Sequence, residues 1–284
     1  MTVNDINTIC VCGAGTMGSG IAQVCATTGY HTILYELNET VLANAKTKLH
    51  VDLERLVNKQ KITAEKKKQI LDNIVFTSDL QNCIADVVME AIVEKVDVKI
   101  ALFNQLAEIN HVETIFATNT SSLSVSAIAK GVTNPSRVAG LHFFNPAPIM
   151  KLVEVVKGEQ TKEGVIQLLF DLTTKLAKQP VVCKDSPGFI VNRVARPYYI
   201  ESLRLAEESI ADFNVIDRLL ENRGFKMGPF KLMDLIGNDV NYAVSCSVYE
   251  QLNQPERLKP SFIQREKVEK GELGKKTKKG YYDY

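Results

Sequence analysis

The stretch Asn7-Thr-Ile-Cys-Val-Cys-Gly-Ala-Gly-Thr-Met-Gly18 decides the fold of the first half of this 284-residue chain. Residues 7–12 form a short apolar run, which predicts a buried strand, and residues 19–28 after the glycines are typical of a helix. Gly29 ends that helix, and residues 31–36 predict a second strand. The glycines therefore stand where a strand passes into a helix within a βαβ unit.

In that setting the spacing Gly13, Gly15 and Gly18 indicates a dinucleotide-binding loop. Gly13 permits a tight turn, Gly15 lets the backbone approach a pyrophosphate, and Gly18 allows close packing of helix on strand. Glu36 closes the second strand, where it would accept ribose hydrogen bonds and repel a 2′-phosphate, so the sequence favours NAD over NADP. A glycine turn without a ligand is the less favoured alternative. The residues expected at the cofactor are Gly13, Ala14, Gly15, Thr16, Met17, Gly18 and Glu36.

Composition and charge exclude several classes of protein. The apolar share of 45%, the charged share of 24% and the net charge of +1 describe an ordinary globular chain without the basic field of a nucleic-acid-binding protein. No apolar run reaches the roughly 20 residues of a membrane span, and the N-terminus does not resemble a signal peptide. Six cysteines without CxxC pairs and four scattered histidines predict no disulfide framework and no metal site. We therefore expect a cytoplasmic protein.

The rest of the chain predicts two domains of different class. Strands at residues 86–93, 113–118, 137–141 and 180–183 alternate with helices, which indicates an α/β Rossmann-like sheet with a helical insertion at residues 40–72 between the second and third strands. Beyond the last strand the periodicity is helical, and we expect an all-α C-terminal domain. The predicted domains are residues 1–185 and 186–284.

The first helix of the second half should begin at Ser186-Pro-Gly188, with Ser186 as the N-cap and residues 189–208 in the helix. Asn192 would then face back toward the cleft from its first turns, although an ordinary exposed helix position is the alternative. The C-terminal residues 271–284 contain four lysines and three tyrosines, which favours a segment that folds over something rather than a frayed basic end.

The most informative side chains follow strand ends, where parallel sheets bind their ligands. Glu94, Ser121 and His142 each come after a predicted strand and should converge on one crevice. Pro146 and Pro148 then form a rigid loop, and residues 151–156 resume as a strand that carries Glu154. A strand–loop–strand unit could place the Glu154 carboxylate beside the His142 imidazole, as a general acid/base requires. A core histidine with an edge-strand glutamate is the alternative.

The helical insertion is rich in lysine. Arg55 and Lys59 are four residues apart and share a helix face, so they could bind a phosphate-rich substrate. Asp52, Glu54 and Glu65 lie among the basic residues, and a solvated helix pair of mixed charge remains the simpler interpretation from composition.

Several long motifs occur in the order found in one family. They are Gly13-Ala-Gly-Thr-Met-Gly18, Asn119-Thr-Ser-Ser-Leu123, His142-Phe-Phe-Asn-Pro146, Met150-Lys-Leu-Val-Glu-Val155, Pro187-Gly-Phe-Ile-Val-Asn-Arg193, Met227-Gly-Pro229 and Gly274-Lys-Lys-Thr277. Over almost its whole length the chain resembles the short-chain L-3-hydroxyacyl-CoA dehydrogenases, and most closely the bacterial 3-hydroxybutyryl-CoA dehydrogenases. The resemblance implies an NAD-binding domain followed by a helical domain for dimerisation and substrate binding.

The resemblance also implies residue roles. His142 would be the catalytic acid/base paired with Glu154, while Ser121 and Asn192 would bind the 3-oxygen and thioester region of the substrate. Arg55 and Lys59 would meet the phosphates of coenzyme A, with arginine at 55 where lysine is usual. Further contacts to NAD would come from Glu36, Glu94, Lys99, Asn145 and Lys276. The expected reaction is reversible oxidation of a (3S)-3-hydroxyacyl-CoA, with 3-hydroxybutyryl-CoA as the first candidate substrate.

Two other functions fit the same motifs. One is a dehydrogenase of a different hydroxy acid, such as a sugar acid, and the other is a non-catalytic NAD-binding protein that kept the fold. The intact set of Ser121, His142, Glu154 and Asn192 argues against the second.

Overall fold

The chain forms two compact units in a computed structural model that describes residues 1–284. The first unit is Met1–Asp185 and the second is Ser186–Tyr284. The first is an α/β unit built on one sheet, and the second contains helices and no sheet strand. The fold class expected from the sequence, a Rossmann-like domain followed by an all-α domain, is confirmed.

The sheet of the first unit has eight strands in the order β3-β2-β1-β4-β5-β6-β7-β8. Every neighbouring pair is parallel except β6 and β7, which are antiparallel. The reversal between β1 and β4 produces the crevice at the carboxyl ends of the strands that such sheets use for ligands. The strands are β1 (Thr8–Cys12), β2 (His31–Tyr35), β3 (Ile74–Thr77), β4 (Val87–Glu90), β5 (Ile115–Thr118), β6 (Val138–Phe143), β7 (Leu152–Lys157) and β8 (Gln179–Lys184).

Helices cover both faces of this sheet, so the central strands are mostly apolar, with polar residues near their carboxyl ends. One core joins Ile21 and Leu172 to one face, and a second joins Phe103 and Phe116 to the other. The helices are α1 (Thr16–Thr27), α2 (Glu39–Asn58), α3 (Ala64–Asp72), α4 (Val96–Ile109), α5 (Val125–Lys130) and α6 (Glu163–Lys175). No helix of the chain is long and apolar enough to cross a bilayer.

Two expectations about the strands were wrong. The strand after the insertion is β3, which pairs with β2, and the strand predicted at residues 86–93 is the fourth in chain order. Four residues at a sheet edge carry too little pattern to be recognised without their partner. His142 does not follow its strand but lies within β6, because Phe143 still pairs with Val153 of β7 and prolongs the ladder.

The second unit consists of α7 (Val191–Glu207), α8 (Phe213–Asn222), α9 (Pro229–Ile236), α10 (Asn238–Gln251) and α11 (Phe262–Glu269). The predicted start of α7 was too early and Ser186 is not its N-cap. Gly188 and Phe189 have positive φ angles of 74° and 49°, so a turn separates Ser186 from the helix.

The C-terminal segment does not fray but folds onto α9, which the sequence had not named as its partner. The Asp234 carboxylate accepts hydrogen bonds from the backbone N–H groups of Tyr281 and Tyr282, each at 3.0 Å. The Tyr282 hydroxyl donates to Asp217 at 2.8 Å, and the Tyr284 hydroxyl donates to Asp234. Both aspartates are fully buried, so these bonds replace the water that an isolated carboxylate would need.

Candidate active site

The loop between β1 and α1 is shaped by its lack of side chains. A Cβ on Gly18 would lie 1.7 Å from the carbonyl oxygen of Gly13, and one on Gly13 would lie 2.6 Å from the carbonyl oxygen of Ala91. Gly13 also has a φ of 101°, which disfavours any other residue. A Cβ on Gly15 would meet no atom within 4 Å, so only this glycine borders open space. The loop thus packs tightly against the sheet and leaves one side open to a ligand.

The open side has the chemistry of a dinucleotide site. Gly15 precedes α1 without a side-chain cap, so the first-turn N–H groups of Thr16, Met17 and Gly18 face the loop as anion donors. Glu36 follows β2 and accepts hydrogen bonds from the N–H groups of Ala14 at 3.0 Å and Asn38 at 3.1 Å. These bonds fix a carboxylate beside the glycine loop, where a ribose diol requires an acceptor. The residues present fit NAD.

The antiparallel pairing of β6 and β7 places His142 directly opposite Glu154. His142 Nδ1 lies 2.7 Å from Glu154 Oε2, and the two residues are only 5% and 1% exposed. The juxtaposition that the sequence predicted is confirmed. A carboxylate accepts hydrogen bonds and cannot donate one, so the proton of neutral His142 resides on Nδ1 and Nε2 is the basic nitrogen. The Phe144 ring lies 4.5 Å from the imidazole, centroid to centroid, and limits its rotation.

The ends of β4 and β5 carry a connected group of polar side chains. Lys99 is 1% exposed, and its Nζ lies 2.5 Å from Glu90 Oε1 and 3.1 Å from Glu94 Oε2. The other oxygen of Glu94 accepts hydrogen bonds from the Thr120 hydroxyl and from the N–H of Ser121. The structure therefore brings Glu94 and Ser121 together, as the sequence predicted, and it places Lys99 beneath them.

Asn119 links this group to the strand of the histidine. Its backbone N–H donates to the carbonyl of Glu90 at 2.7 Å, and its Oδ1 accepts from the N–H of Phe143 at 2.8 Å. Ser121 lies beyond the end of β5 and His142 lies within the neighbouring β6, and the side chain of Asn119 connects the loop after β5 to the backbone of β6.

The loop between β6 and β7 is held by a buried lysine. Lys178 donates from Nζ to the carbonyl oxygens of Ala147 at 2.6 Å and Met150 at 2.9 Å. Burial lowers the pKa of the Lys178 amine, because the charged form loses its hydration. Asn145, expected at NAD, lies exposed in the same loop.

The insertion presents its basic residues to solvent. Arg55 lies on α2 with its side chain 70% exposed and pairs with Asp52 at 3.2 Å. Lys59 is exposed as the C-cap residue just beyond α2. Exposed, weakly paired cations of this kind can exchange their partners for phosphate groups.

Two predicted site residues belong to the helical unit. Asn192 lies in the first turn of α7, and its carbonyl accepts a hydrogen bond from Arg196 Nε at 3.0 Å. Lys276 lies in the C-terminal segment, where its Nζ pairs with both oxygens of Asp239 at 2.6 Å.

Comparisons with known proteins identify the family. Residues 8–186 match the family described as 3-hydroxyacyl-CoA dehydrogenase, NAD binding domain. Residues 188–284 match the 3-hydroxyacyl-CoA dehydrogenase, C-terminal domain. The chain belongs to the 3-hydroxyacyl-CoA dehydrogenase family. The resemblance, the enzyme class and NAD as the cofactor, all expected from the sequence, are confirmed by these matches.

Individual relatives carry more than one substrate name. The 3-hydroxyadipyl-CoA dehydrogenase of Escherichia coli is 49% identical over 286 residues, which is all of this chain and 60% of that protein. A crystal structure titled 3-hydroxybutyryl-CoA dehydrogenase from E. coli matches with a TM-score of 0.95 and 49% identity, over 98% of this chain and 60% of that one. The (S)-3-hydroxybutyryl-CoA dehydrogenase of Ralstonia eutropha matches with a TM-score of 0.94 and 34% identity, over 99% of both chains. The chain thus spans about three-fifths of its E. coli relatives.

Sequence reasoning overlooked two buried charged residues of this chain, Glu90 and Lys178. Glu90 is 0% exposed at the end of an apolar strand, and Lys178 is 9% exposed beside β8. A charged residue next to an apolar run is the signal that could have singled them out, since a buried charge requires partners. Glu90 meets Thr118, 28 residues later, and Lys178 meets two carbonyls about 30 residues earlier, so the sequence alone could not name these partners.

Proposed function

We propose that this protein is an NAD-dependent dehydrogenase that reversibly oxidises (3S)-3-hydroxyacyl-CoA thioesters to 3-oxoacyl-CoA, with 3-hydroxybutyryl-CoA as the substrate. The observation that carries the proposal is the buried His142–Glu154 pair, joined at 2.7 Å on the sheet that also carries the glycine loop. The two substrate names among the E. coli relatives make chain length the point to test.

His142 acts as the general base in oxidation. Its Nε2 accepts the proton of the 3-hydroxyl group while Nδ1 remains bonded to Glu154, which orients the ring and stabilises the imidazolium that forms. In the reverse direction the imidazolium returns the proton to the 3-oxygen. When bound, NAD supplies the acceptor for the C3 hydride. Ser121 and Asn192 hydrogen-bond the substrate oxygens and hold C3 in position.

Arg55 and Lys59 bind the phosphates of coenzyme A. Their support is the exposed, i,i+4 arrangement on the insertion, together with the family membership of the chain. The protein acts as a cytoplasmic homodimer. The helical unit exposes apolar side chains, which contact between two copies of this unit would bury. Exposed apolar side chains of this unit include Val194, Ile210, Leu219 and Phe225.

The direct test follows NADH absorbance with acetoacetyl-CoA, with the 3-oxoadipyl thioester and with free acetoacetate. We expect turnover of the acetoacetyl thioester with NADH, with a lower kcat/KM for the dicarboxylic thioester. Faster turnover of the 3-oxoadipyl thioester would reject the proposed chain length. Equal turnover of the free acid would reject the coenzyme A ester as the substrate.

A paired variant isolates the coenzyme A contacts. Arg55→Ala/Lys59→Ala should raise KM for acetoacetyl-CoA by roughly 10-fold with little change in kcat, because two charge-assisted phosphate contacts are lost. Lys61→Ala/Lys68→Ala removes the same charge from exposed positions of the same insertion and should leave KM within about 2-fold. An equal rise in both variants would indicate a diffuse electrostatic effect and would contradict specific contacts.

A further inference from the structure

Glu90 has no role in the mechanism above, yet it is the most deeply buried carboxylate of the α/β unit. Its side chain is 0% exposed and receives three hydrogen bonds. Oε1 accepts from the N–H of Ile92 at 2.7 Å and from Lys99 Nζ at 2.5 Å, and Oε2 accepts from the Thr118 hydroxyl at 2.7 Å. All these partners lie at the carboxyl ends of β4 and β5 or on α4.

Lys99 is shared between two carboxylates. Its ammonium group pairs with the buried Glu90 on one side and with Glu94, which is 37% exposed, on the other. A buried ion pair is expensive to desolvate, and apolar residues of the same size are often as stabilising. The pair therefore needs a reason other than stability, and its geometry gives one. Lys99 fixes the carboxylate of Glu94 from below.

Glu94 in turn holds the loop after β5. Its Oε1 accepts from the hydroxyl of Thr120 and from the N–H of Ser121 at 3.0 Å. The Thr120 hydroxyl oxygen also accepts from the N–H groups of Ser122 at 3.3 Å and Leu123 at 2.9 Å. One carboxylate thus organises the backbone that carries the proposed substrate-binding serine.

We propose that Glu90 and Lys99 are positioning residues, a buried ion pair that fixes Glu94 and thereby places Ser121 for the reaction. Lys99 acts on the loop through Glu94, whose carboxylate lies 3.1 Å from its Nζ. The expected effect on turnover rests on the proposed function. The expected effect on the Ser121 backbone, through Lys99 and Glu94, does not.

The test compares Glu90→Gln, Lys99→Met and the double variant. Lys99→Met leaves Glu90 charged and buried without a counterion, so this variant should have a lower Tm. In the double variant no buried charge remains, and Tm should return close to that of the wild type. We still expect the amide hydrogen of Ser121 to exchange about 10-fold faster in the ligand-free protein, because Glu94 has lost its anchor. Turnover of acetoacetyl-CoA should fall about 10-fold in kcat, with a smaller change in KM.

A purely structural pair predicts something different. The double variant would then regain its Tm, its Ser121 exchange rate and its kcat together, and that result would overturn the proposal. If Lys99→Met fails to fold, Glu94→Ala replaces it in the comparison, because this variant leaves the Glu90–Lys99 pair intact. It should accelerate Ser121 exchange as much as the double variant does, and an unchanged rate would also overturn the proposal.

The chain offers a matched control. Glu113 and Arg137 pair at 2.7 Å at the amino ends of β5 and β6, away from the loop of Ser121. Glu113→Gln/Arg137→Met should lower Tm without changing Ser121 exchange or kcat. Hydrogen exchange is measured without ligand, so its result does not depend on activity. If the wild type had no dehydrogenase activity, the proposed function would be rejected, and the exchange rates alone would still decide whether Glu90 and Lys99 anchor Ser121.

Discussion

The glycine loop and the β6–β7 pair are two halves of one proposed active site built on different principles. In the loop, the structure depends on atoms that are missing, because a Cβ on Gly18 would lie 1.7 Å from a carbonyl oxygen. In the pair, it depends on two side chains, His142 and Glu154, that meet only because two antiparallel strands adopt one register. The loop should therefore be damaged by adding atoms, and the pair by removing them.

The two regions also differ in the property that a substitution should change. The loop packs against β1 and β4, so its disruption reaches the core of the unit. His142 and Glu154 share one hydrogen bond, and an isosteric substitution of either residue can alter their chemistry while the strands remain paired. Variants of the loop should thus change stability or cofactor binding, whereas variants of the pair should change the chemical step.

The largest effect is expected from His142→Gln. Removal of the general base should lower kcat by ~10²–10⁴-fold, while the dissociation constant for NADH stays within about 2-fold. Stopped-flow turnover and NADH fluorescence titration measure the two quantities. Nearly normal turnover would remove His142 from the mechanism, and a parallel loss of NADH binding would show that the two regions are not separable.

A smaller but informative effect is expected from paired changes in the loop. Gly18→Ala should lower the free energy of unfolding by about 3 kcal/mol, because its Cβ meets backbone that cannot move aside. Gly15→Ala has room in the ligand-free protein and should change stability by less than about 1 kcal/mol. It should nevertheless weaken NADH binding by roughly 10-fold, because the methyl group occupies the side open to the pyrophosphate.

Chemical denaturation and NADH titration of Gly15→Ala and Gly18→Ala test these two predictions. Equal losses of stability would contradict the division of roles between Gly15 and Gly18. Unchanged NADH affinity in Gly15→Ala would place the pyrophosphate elsewhere.

The smallest effect is expected from Glu154→Gln, seen in kcat. Glutamine can still accept a hydrogen bond from Nδ1–H of His142, but it lacks the negative charge that stabilises the imidazolium formed in oxidation, so kcat should fall by about 5-fold. Glu113→Gln, which removes a carboxylate at the other end of the sheet, should leave kcat in place. An unchanged kcat in Glu154→Gln would contradict the functional pairing.

Local pattern explains which parts of the fold could be predicted. The β1–α1 loop and the change from alternating strands and helices to helices alone are written in consecutive residues, and both were predicted correctly. The strand β3 was missed because four residues at an edge acquire their identity from β2. The end of β6 was misplaced because its ladder is completed by β7, across a loop that contains two prolines.

The same distinction applies to the candidate site. Glu94 and Ser121 could be named from their places after strands, and Lys99 from the family resemblance. The burial of Lys99 and its position between Glu90 and Glu94 depend on the packing of α4 against the strand ends. The role of Lys178 likewise depends on its hydrogen bonds to the carbonyls of Ala147 and Met150, about thirty residues away in the sequence.

By itself the sequence determined the dinucleotide loop and the two-part organisation, and it pointed to His142 and Glu154 as a candidate pair, because each is encoded in local spacing or in a run of neighbouring residues. Only the tertiary structure decided which charges are buried and which partner each one has. Burial and register are set by segments far apart in the chain, and the free energy of a charged side chain depends on those surroundings.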